Sequence, residues 1–243
     1  MKAIEVHNLC KSYNDVQVLK EINLTVEKGE VFRLLGANGA GKSTVIECIL
    51  GIKNFENGKI SILGMNPKKE RKQLFQNVGV QFQESNYQDK ITVKELCETT
   101  EVLYKNPLSY KKLLEDFNLK HKLKNLVSEL SGGERQRLFI VLALIPDPEV
   151  VFLDELTTGL DVKSRRDVWK SLLKLKEQGF TIFLTSHFMD EVEVLCDRIS
   201  ILKNGMINFS GTIEEAVKMS PYEKFEDTYL WFLDEGEEKN ESI

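Results

Sequence analysis

Apolar and polar residues follow two rhythms along this chain. Near the N-terminus, AIEVHNL and VLKEINLTV place apolar side chains at every second position, the pattern of strands with one face on a core and the other in water. Beyond Val31 the rhythm changes, and solid apolar runs alternate with stretches whose apolar residues recur at helical spacing. VFRLL precedes TVIECIL, KISIL precedes KKERKQLF, VVFLD precedes SRRDVWKSLLKLKEQ, and FTIFLTS precedes MDEVEVL. This alternation predicts an α/β fold with a mostly parallel sheet flanked by helices, preceded by an N-terminal antiparallel β subdomain. RISILKNGMINFS holds Asn204-Gly205 between two apolar runs and predicts a tight hairpin. Between Tyr87 and Leu130 the helical, lysine-rich ITVKELCETTEVLYK and SYKKLLEDF are parted by Asn106-Pro107, which predicts an inserted α-helical subdomain reaching from about residue 87 to 145. One domain over 1–220 follows, with 221–243 as an acidic tail that frays in solvent.

Composition narrows the class. With 243 residues, 42% hydrophobic and 29% charged, the chain has room for one large core. A formal charge of −5 argues against a general nucleic-acid binder. The four cysteines, Cys10, Cys48, Cys97 and Cys196, show no metal-ligand spacing and read as reduced core thiols. The opening MKAIEVHNLCK lacks the apolar run of an export signal, and the longest apolar run, Leu138 to Ile145, is far short of the roughly 20 residues that span a bilayer. The expectation is a cytoplasmic chain that meets a membrane only through a partner.

The stretch GANGAGKST, from Gly36 through Ala37, Asn38, Gly39, Ala40, Gly41, Lys42 and Ser43 to Thr44, carries the chemistry. Gly36, Gly41, Lys42 and Ser43 fit G-x-x-x-x-G-K-[ST], between a buried strand pattern and a helical one. Glycines let backbone N–H groups turn toward a phosphate, and the helix that starts near Lys42 aims its positive end at the same anion. Lys42 would reach the β and γ oxygens of ATP and the Ser43 hydroxyl would hold Mg²⁺. The bland alternative is a glycine-rich turn with an incidental lysine. VVFLDE weakens that alternative, because a buried strand that ends in two carboxylates calls for a counter-charge. Asp154 is placed to hold Mg²⁺ through water, and Glu155 to polarise an attacking water.

LSGGERQR, from Leu130 to Arg137, discriminates among nucleotide proteins. Ser131 and Glu134 form a capping box at the head of an apolar helix. Gly132 and Gly133 weaken that first turn and bare its N–H groups, which makes a second helix N-terminus suited to an anion.

With these residues in order, the chain resembles the ATP-binding cassette family, the ATP-driven motors of ABC transporters, from about Ile4 to Val217. LSGGE is that family's signature. The resemblance implies a P-loop NTPase with a RecA-like core, in which Gln83 belongs to the glutamine loop that senses Mg²⁺ and the γ-phosphate, Asp161 to the aspartate loop, His187 is the switch histidine, and Tyr13 stacks on adenine. It further implies that two cassettes, of identical or related chains, sandwich two ATP molecules. Lys42 and His187 of one protomer then face Ser131 and Gly133 of the other, and a separate transmembrane permease holds the pair at the inner face of the membrane.

Three positions depart from the family pattern. Leu156 stands where proline usually follows the catalytic glutamate, which predicts a looser loop before Asp161. Ala37 replaces a common proline, and Arg33 puts a charge inside VFRLL that needs a partner or an exit to solvent. GVQFQE and DELTTGLD look like the drug and antibiotic exporter branch, so export is the expected direction. The alternative is a soluble ABC-type ATPase that works on ribosomes or nucleic acid. The chain's acidity and the short separation between Gln83 and Leu130 count against it.

Overall fold

Two compact units, Met1–Arg71 with His187–Ile243 and Lys72–Ser186, make up the chain in the computed structural model, which describes residues 1–82, 87–185 and 189–234.

The first unit opens with β1 (Lys2–Tyr13) and β2 (Val16–Glu27), followed by β3 (Val31–Leu35), α1 (Lys42–Ile49) and β4 (Asn57–Ile62). β1 pairs antiparallel with both β2 and β4, so that Ile4 and Val6 lie opposite Val26 and Leu24 on one side and Ile62 and Ile60 on the other. All six of these side chains are buried. The predicted alternation is thus one face of a three-stranded sheet. KISIL belongs to this antiparallel sheet as β4, not to the parallel one that the strand–helix rhythm predicted. The helix expected after it shrinks to a single turn, α2 (Arg71–Leu74), where four charged residues, Lys68 to Arg71, leave too little apolar surface for a longer one.

β3 is buried along its whole length and pairs parallel with β8 (Arg198–Lys203), which turns back through Asn204-Gly205 into β9 (Met206–Gly211) as the sequence predicts. Around β8 gather α7 (Met189–Leu195), α8 (Ile213–Met219) and α9 (Phe225–Asp234).

α9 corrects the expectation of a frayed tail from residue 221. Phe225, Tyr229 and Phe232 recur at helical spacing and pack with Leu35, Val192, Ile199, Ile201 and Phe209 in one buried cluster. Glu226 and Asp227 in the first turn suit the positive end of the helix. Residues 235–243, the acidic part of that tail, lie outside the described residues.

The second unit contains β5 (Val78–Gln81), α3 (Val93–Glu101), α4 (Tyr110–Asp116), α5 (Gly132–Leu144), β6 (Val150–Asp154), α6 (Val162–Glu177) and β7 (Thr181–Thr185). β5, β6 and β7 are parallel, with Val80, Phe152 and Phe183 in line across them. Every residue of β6 and β7 is buried, as strands covered on both faces must be. Phe152 and Phe183 stack with ring centroids 5.4 Å apart. The predicted helical insert appears as α3 and α4; Thr92 closes a capping box on Glu95 at the head of α3, and Asn106-Pro107 falls between the two helices.

The packing of α9 yields a direct test. Phe225→Ala should cost about 3 to 5 kcal/mol of stability, as the loss of a buried aromatic does. Urea unfolding of the full chain measures it; a change within about 0.5 kcal/mol, the surface value, would mean that α9 is not part of the core.

Candidate functional site

The phosphate loop lies where β3 ends and α1 begins. Gly41 caps α1 with φ at 106°, in the region that favours glycine. A Cβ there would stand 2.9 Å from Leu19 of β2, and one at Gly36 would stand 2.6 Å from the Leu202 carbonyl oxygen. Backbone crowding thus requires glycine at 36 and the positive φ favours it at 41, which pins the loop's backbone while Ala37, Asn38 and Gly39 stay exposed. Lys42 is buried, and its Nζ donates to the carbonyls of Gly36 at 2.8 Å and Ala37 at 3.1 Å. A cation bent over a loop whose next residues begin a helix is a donor set that fits a polyphosphate. Ser43 is exposed and Thr44 half-buried beside it.

Against this loop opens a cleft of about 620 Å³. Ala37 to Ala40 form one wall, Val16, Gln17, Val18 and Lys20 of β2 another, and the hairpin turn Asn204-Gly205 with Leu233 of α9 the rest. Tyr13 stands apart from this lining. It is 38% exposed, with Lys11 Nζ 4.8 Å and Lys53 Nζ 5.4 Å from its ring centroid. Tyr229 of α9 is buried in the cluster that includes Leu35, the residue before the loop. Burial pushes its phenol up, opposed by the backbone N–H of Gly36. Sequence reasoning missed Tyr229 and Leu233, although the spacing of Phe225, Tyr229 and Phe232 carried the signal.

The carboxylates and the signature belong to the second unit. Asp154 ends β6 almost fully buried and accepts a hydrogen bond from the Thr185 hydroxyl of β7. Glu155 is half-buried, and its φ of 47° puts a non-glycine residue in the left-handed region, a strain on the order of 1 kcal/mol. Its N–H donates to the Thr185 carbonyl at 3.1 Å, which holds the kink in place. Leu156 stands at the position of the missing proline. It is buried, and turns from Glu155 to Thr158 and from Thr157 to Leu160, each closed by a 3.2 Å hydrogen bond, carry the chain to Asp161.

Ser131 caps α5, its hydroxyl accepting from Glu134 N at 3.3 Å while the Glu134 carboxylate accepts from Ser131 N at 2.9 Å. Burial raises the Glu134 carboxyl, but the Ser131 N–H and Lys122 outweigh it and hold the group below its ordinary range. Asp161 caps α6 in turn, accepting from Lys163 N and Ser164 N at 2.9 and 3.0 Å and from the Ser164 hydroxyl at 2.6 Å. The Ser164 hydroxyl, then its N–H, lowers the Asp161 carboxyl. The two helix heads touch. A Cβ on Gly133 would lie 2.8 Å from Ser164 Cβ, and one on Gly132 would lie 3.0 Å from Leu160. Close packing is thus a cause of the paired glycines in its own right, beside the anion access expected from the sequence. Gln83 and His187, both assigned by resemblance, lie outside the described residues.

Comparison with known proteins agrees with this assembly of parts. Residues 19–158 match the model of the ABC transporter family. A curated relative, the Nod factor export ATP-binding protein I of Rhizobium etli, is 40% identical over 210 residues, which are 84% of this chain and 66% of the relative. The chain therefore spans just under two thirds of that relative's length. Among solved structures, an ATP binding subunit of an ABC transporter superposes with a TM-score of 0.85 at 26% identity, covering 95% of this chain and 99% of that one. A bacterial ABC transporter cassette solved as a dimer superposes with a TM-score of 0.77 at 25% identity, covering 86% and 98%. The chain belongs to the ABC transporter family, with the P-loop α/β fold of its ATP-binding cassettes.

The contact between the helix heads can be tested by itself. Gly133→Ala should cost about 1 to 3 kcal/mol through overpacking, and Gly133→Ala with Ser164→Gly should recover part of the loss. Thermal unfolding measures both; a single variant as stable as the parent would leave anion access as the only reason for this glycine.

Proposed function

We propose that the chain is the ATP-hydrolysing subunit of a membrane exporter, in which two cassettes close around two ATP molecules and drive a separate permease. The observation that carries this reading is that the chain has two helix heads suited to an anion, α1 at the phosphate loop and α5 with its exposed, serine-capped N-terminus. A triphosphate has more negative charge than Lys42 and one Mg²⁺ neutralise, so a second helix N-terminus gains by docking on it. The cassette solved as a dimer among the similar structures supports the pairing of two cassettes.

In this reading Gly36 to Thr44 cradle the phosphates, Lys42 meets the β and γ oxygens, and Tyr13 lies against adenine. Ser43 and Asp154, with Gln83, supply oxygen donors of the kind that Mg²⁺ takes, and their hardness fits that ion. Bound Mg²⁺ would neutralise charge on the phosphates. Glu155 orients and deprotonates the attacking water, and His187 holds the γ-phosphate from the side of Lys42. Ser131, Gly132 and Gly133 of the partner protomer close the site, and within each chain Asp161 fixes the head of α6 against that chain's own Gly132 and Gly133. When the γ-phosphate leaves, the attraction that joined the halves is lost and they part.

The membrane partner docks near Gln83 and the helical insert. Val102 and Leu103, just past α3, are 77% and 69% exposed, and two adjacent large apolar side chains facing water favour a protein contact there. Export is the direction supported by the name of the curated relative, an export ATP-binding protein. The assembly would place this chain on the inner face of the membrane, as a homodimer or beside a related cassette.

Glu155→Gln is the test. Loss of the general base should lower turnover by about 10² to 10⁴-fold while ATP still binds and the two protomers stay closed. Light scattering of this variant in excess ATP should therefore show a dimer, and a monomer would overturn the two-protomer site.

A further inference from the structure

Tyr13, the last residue of β1, is an exposed ring in a charged setting. Two ammonium groups stand within cation–π reach of it, Lys11 Nζ at 4.8 Å and Lys53 Nζ at 5.4 Å from the ring centroid. Each ammonium is in turn fixed by a carboxylate. Lys11 Nζ donates to Glu56 Oε1 at 3.0 Å, and Glu56 Oε2 accepts from Ser12 N at 2.8 Å, so one carboxylate holds both residues that precede Tyr13. Lys53 Nζ lies 2.7 Å from Glu47 Oε2, and its backbone N–H donates to the Glu47 carbonyl at 3.1 Å. The Glu47 carboxylate, and after it the Tyr13 side chain, hold the Lys53 ammonium above its ordinary range.

As a source of stability the cluster is slight. The side chains of Glu56 and Lys53 are 50% and 38% exposed, and ion pairs that open to water contribute little. Its effect is to take freedom from one ring. A tyrosine as exposed as this would otherwise turn among its rotamers, and a base stacking on it would have to stop that motion. The cluster also ties the ring to the phosphate loop within one compact unit. Glu47 lies on α1, the helix headed by Lys42 and Ser43, so the ring is joined through Lys53 to the element that meets the phosphates. The base and the phosphates of one nucleotide are covalently joined, and a platform held in register with the phosphate helix suits such a ligand.

We propose that Lys11 and Lys53 are positioning residues for ATP binding: anchored on Glu56 and Glu47, they hold the Tyr13 ring in place for the adenine base before the nucleotide arrives. The inference rests on the contact of Tyr13 with adenine given under Proposed function. Preorganisation raises affinity by removing an ordering cost. Here it acts on the base alone, since neither lysine is among the residues that cradle the phosphates.

Lys11→Met with Lys53→Met removes both charges and keeps the apolar stems. By titration calorimetry the double variant of the full chain should bind ATP about threefold to twentyfold more weakly than the parent, since each cation–π contact at an exposed site is worth a factor of about two to five. Its affinity for inorganic tripolyphosphate, which has no base to stack, should be unchanged. A loss for ATP smaller than about threefold, or a gain, overturns the inference. An equal loss for ATP and tripolyphosphate also overturns it, because the lysines would then act on the phosphate loop itself. Should circular dichroism show the double variant unfolded, Lys53→Met is read in the same way; a loss for ATP alone of about twofold to fivefold supports the inference, and any smaller loss overturns it. Tyr13→Ala serves as the control. If it binds ATP with the parent affinity, the contact of Tyr13 with adenine fails and the inference with it; if it binds weakly while the lysine variant binds as the parent does, the inference alone fails.

Discussion

Everything in this molecule that bears on nucleotide depends on one constraint: backbone N–H groups must be presented bare to an anion, and a loop stripped of side chains cannot hold its own shape. The surroundings hold it instead. Leu19 of β2 and the carbonyl of Leu202 on β8 press on Gly41 and Gly36 from behind. Leu35 is locked into a cluster with Phe209, Tyr229 and Phe232. The glycines give the loop freedom in the unfolded chain, and the packing removes it on folding, so binding need not meet that entropy cost again.

The same logic recurs at the head of α5. Gly132 and Gly133 lie against Leu160 and Ser164, and Asp161 ties Ser164 with both carboxylate oxygens through its hydroxyl and its N–H. A residue that looks like a ligand contact in the sequence is also a packing residue in the fold. Small side chains let two helix N-termini approach each other, and the approach sets where each can meet a partner. At the adjoining kink Glu155 takes up a left-handed backbone, which Thr185 braces. Sites assembled in this way resist drift, since each functional backbone has a neighbour that fixes it.

Much of this was legible in the sequence, for physical reasons that differ by element. The glycine-rich turn, the apolar strand ending in Asp154 and Glu155, and the capping box at Ser131 announce themselves because local backbone chemistry demands those residue types at those spacings. The Asn204-Gly205 hairpin is legible for the same reason. KISIL misled because a five-residue apolar run does not say which sheet it joins; only its pairing with β1 decides that. α9 was hidden by the acids after it, whose charge outweighed the helical spacing of three aromatics. The partner of Arg33 could not be foreseen, since Glu191 lies 158 positions away and an ion pair across that distance leaves no local trace. The left-handed backbone at Glu155 was likewise unreadable, because no residue there advertises positive φ.

Titration calorimetry of ATP against the parent chain and Lys42→Ala, with circular dichroism to show that both are folded, tests most directly whether this loop is where polyphosphate is held. Loss of a buried, charge-assisted donor should weaken binding by about tenfold to a hundredfold. Equal affinity in the two proteins would mean that the anion sits elsewhere, and the account of the glycines, of α9 behind the loop and of the closing partner would fall with it.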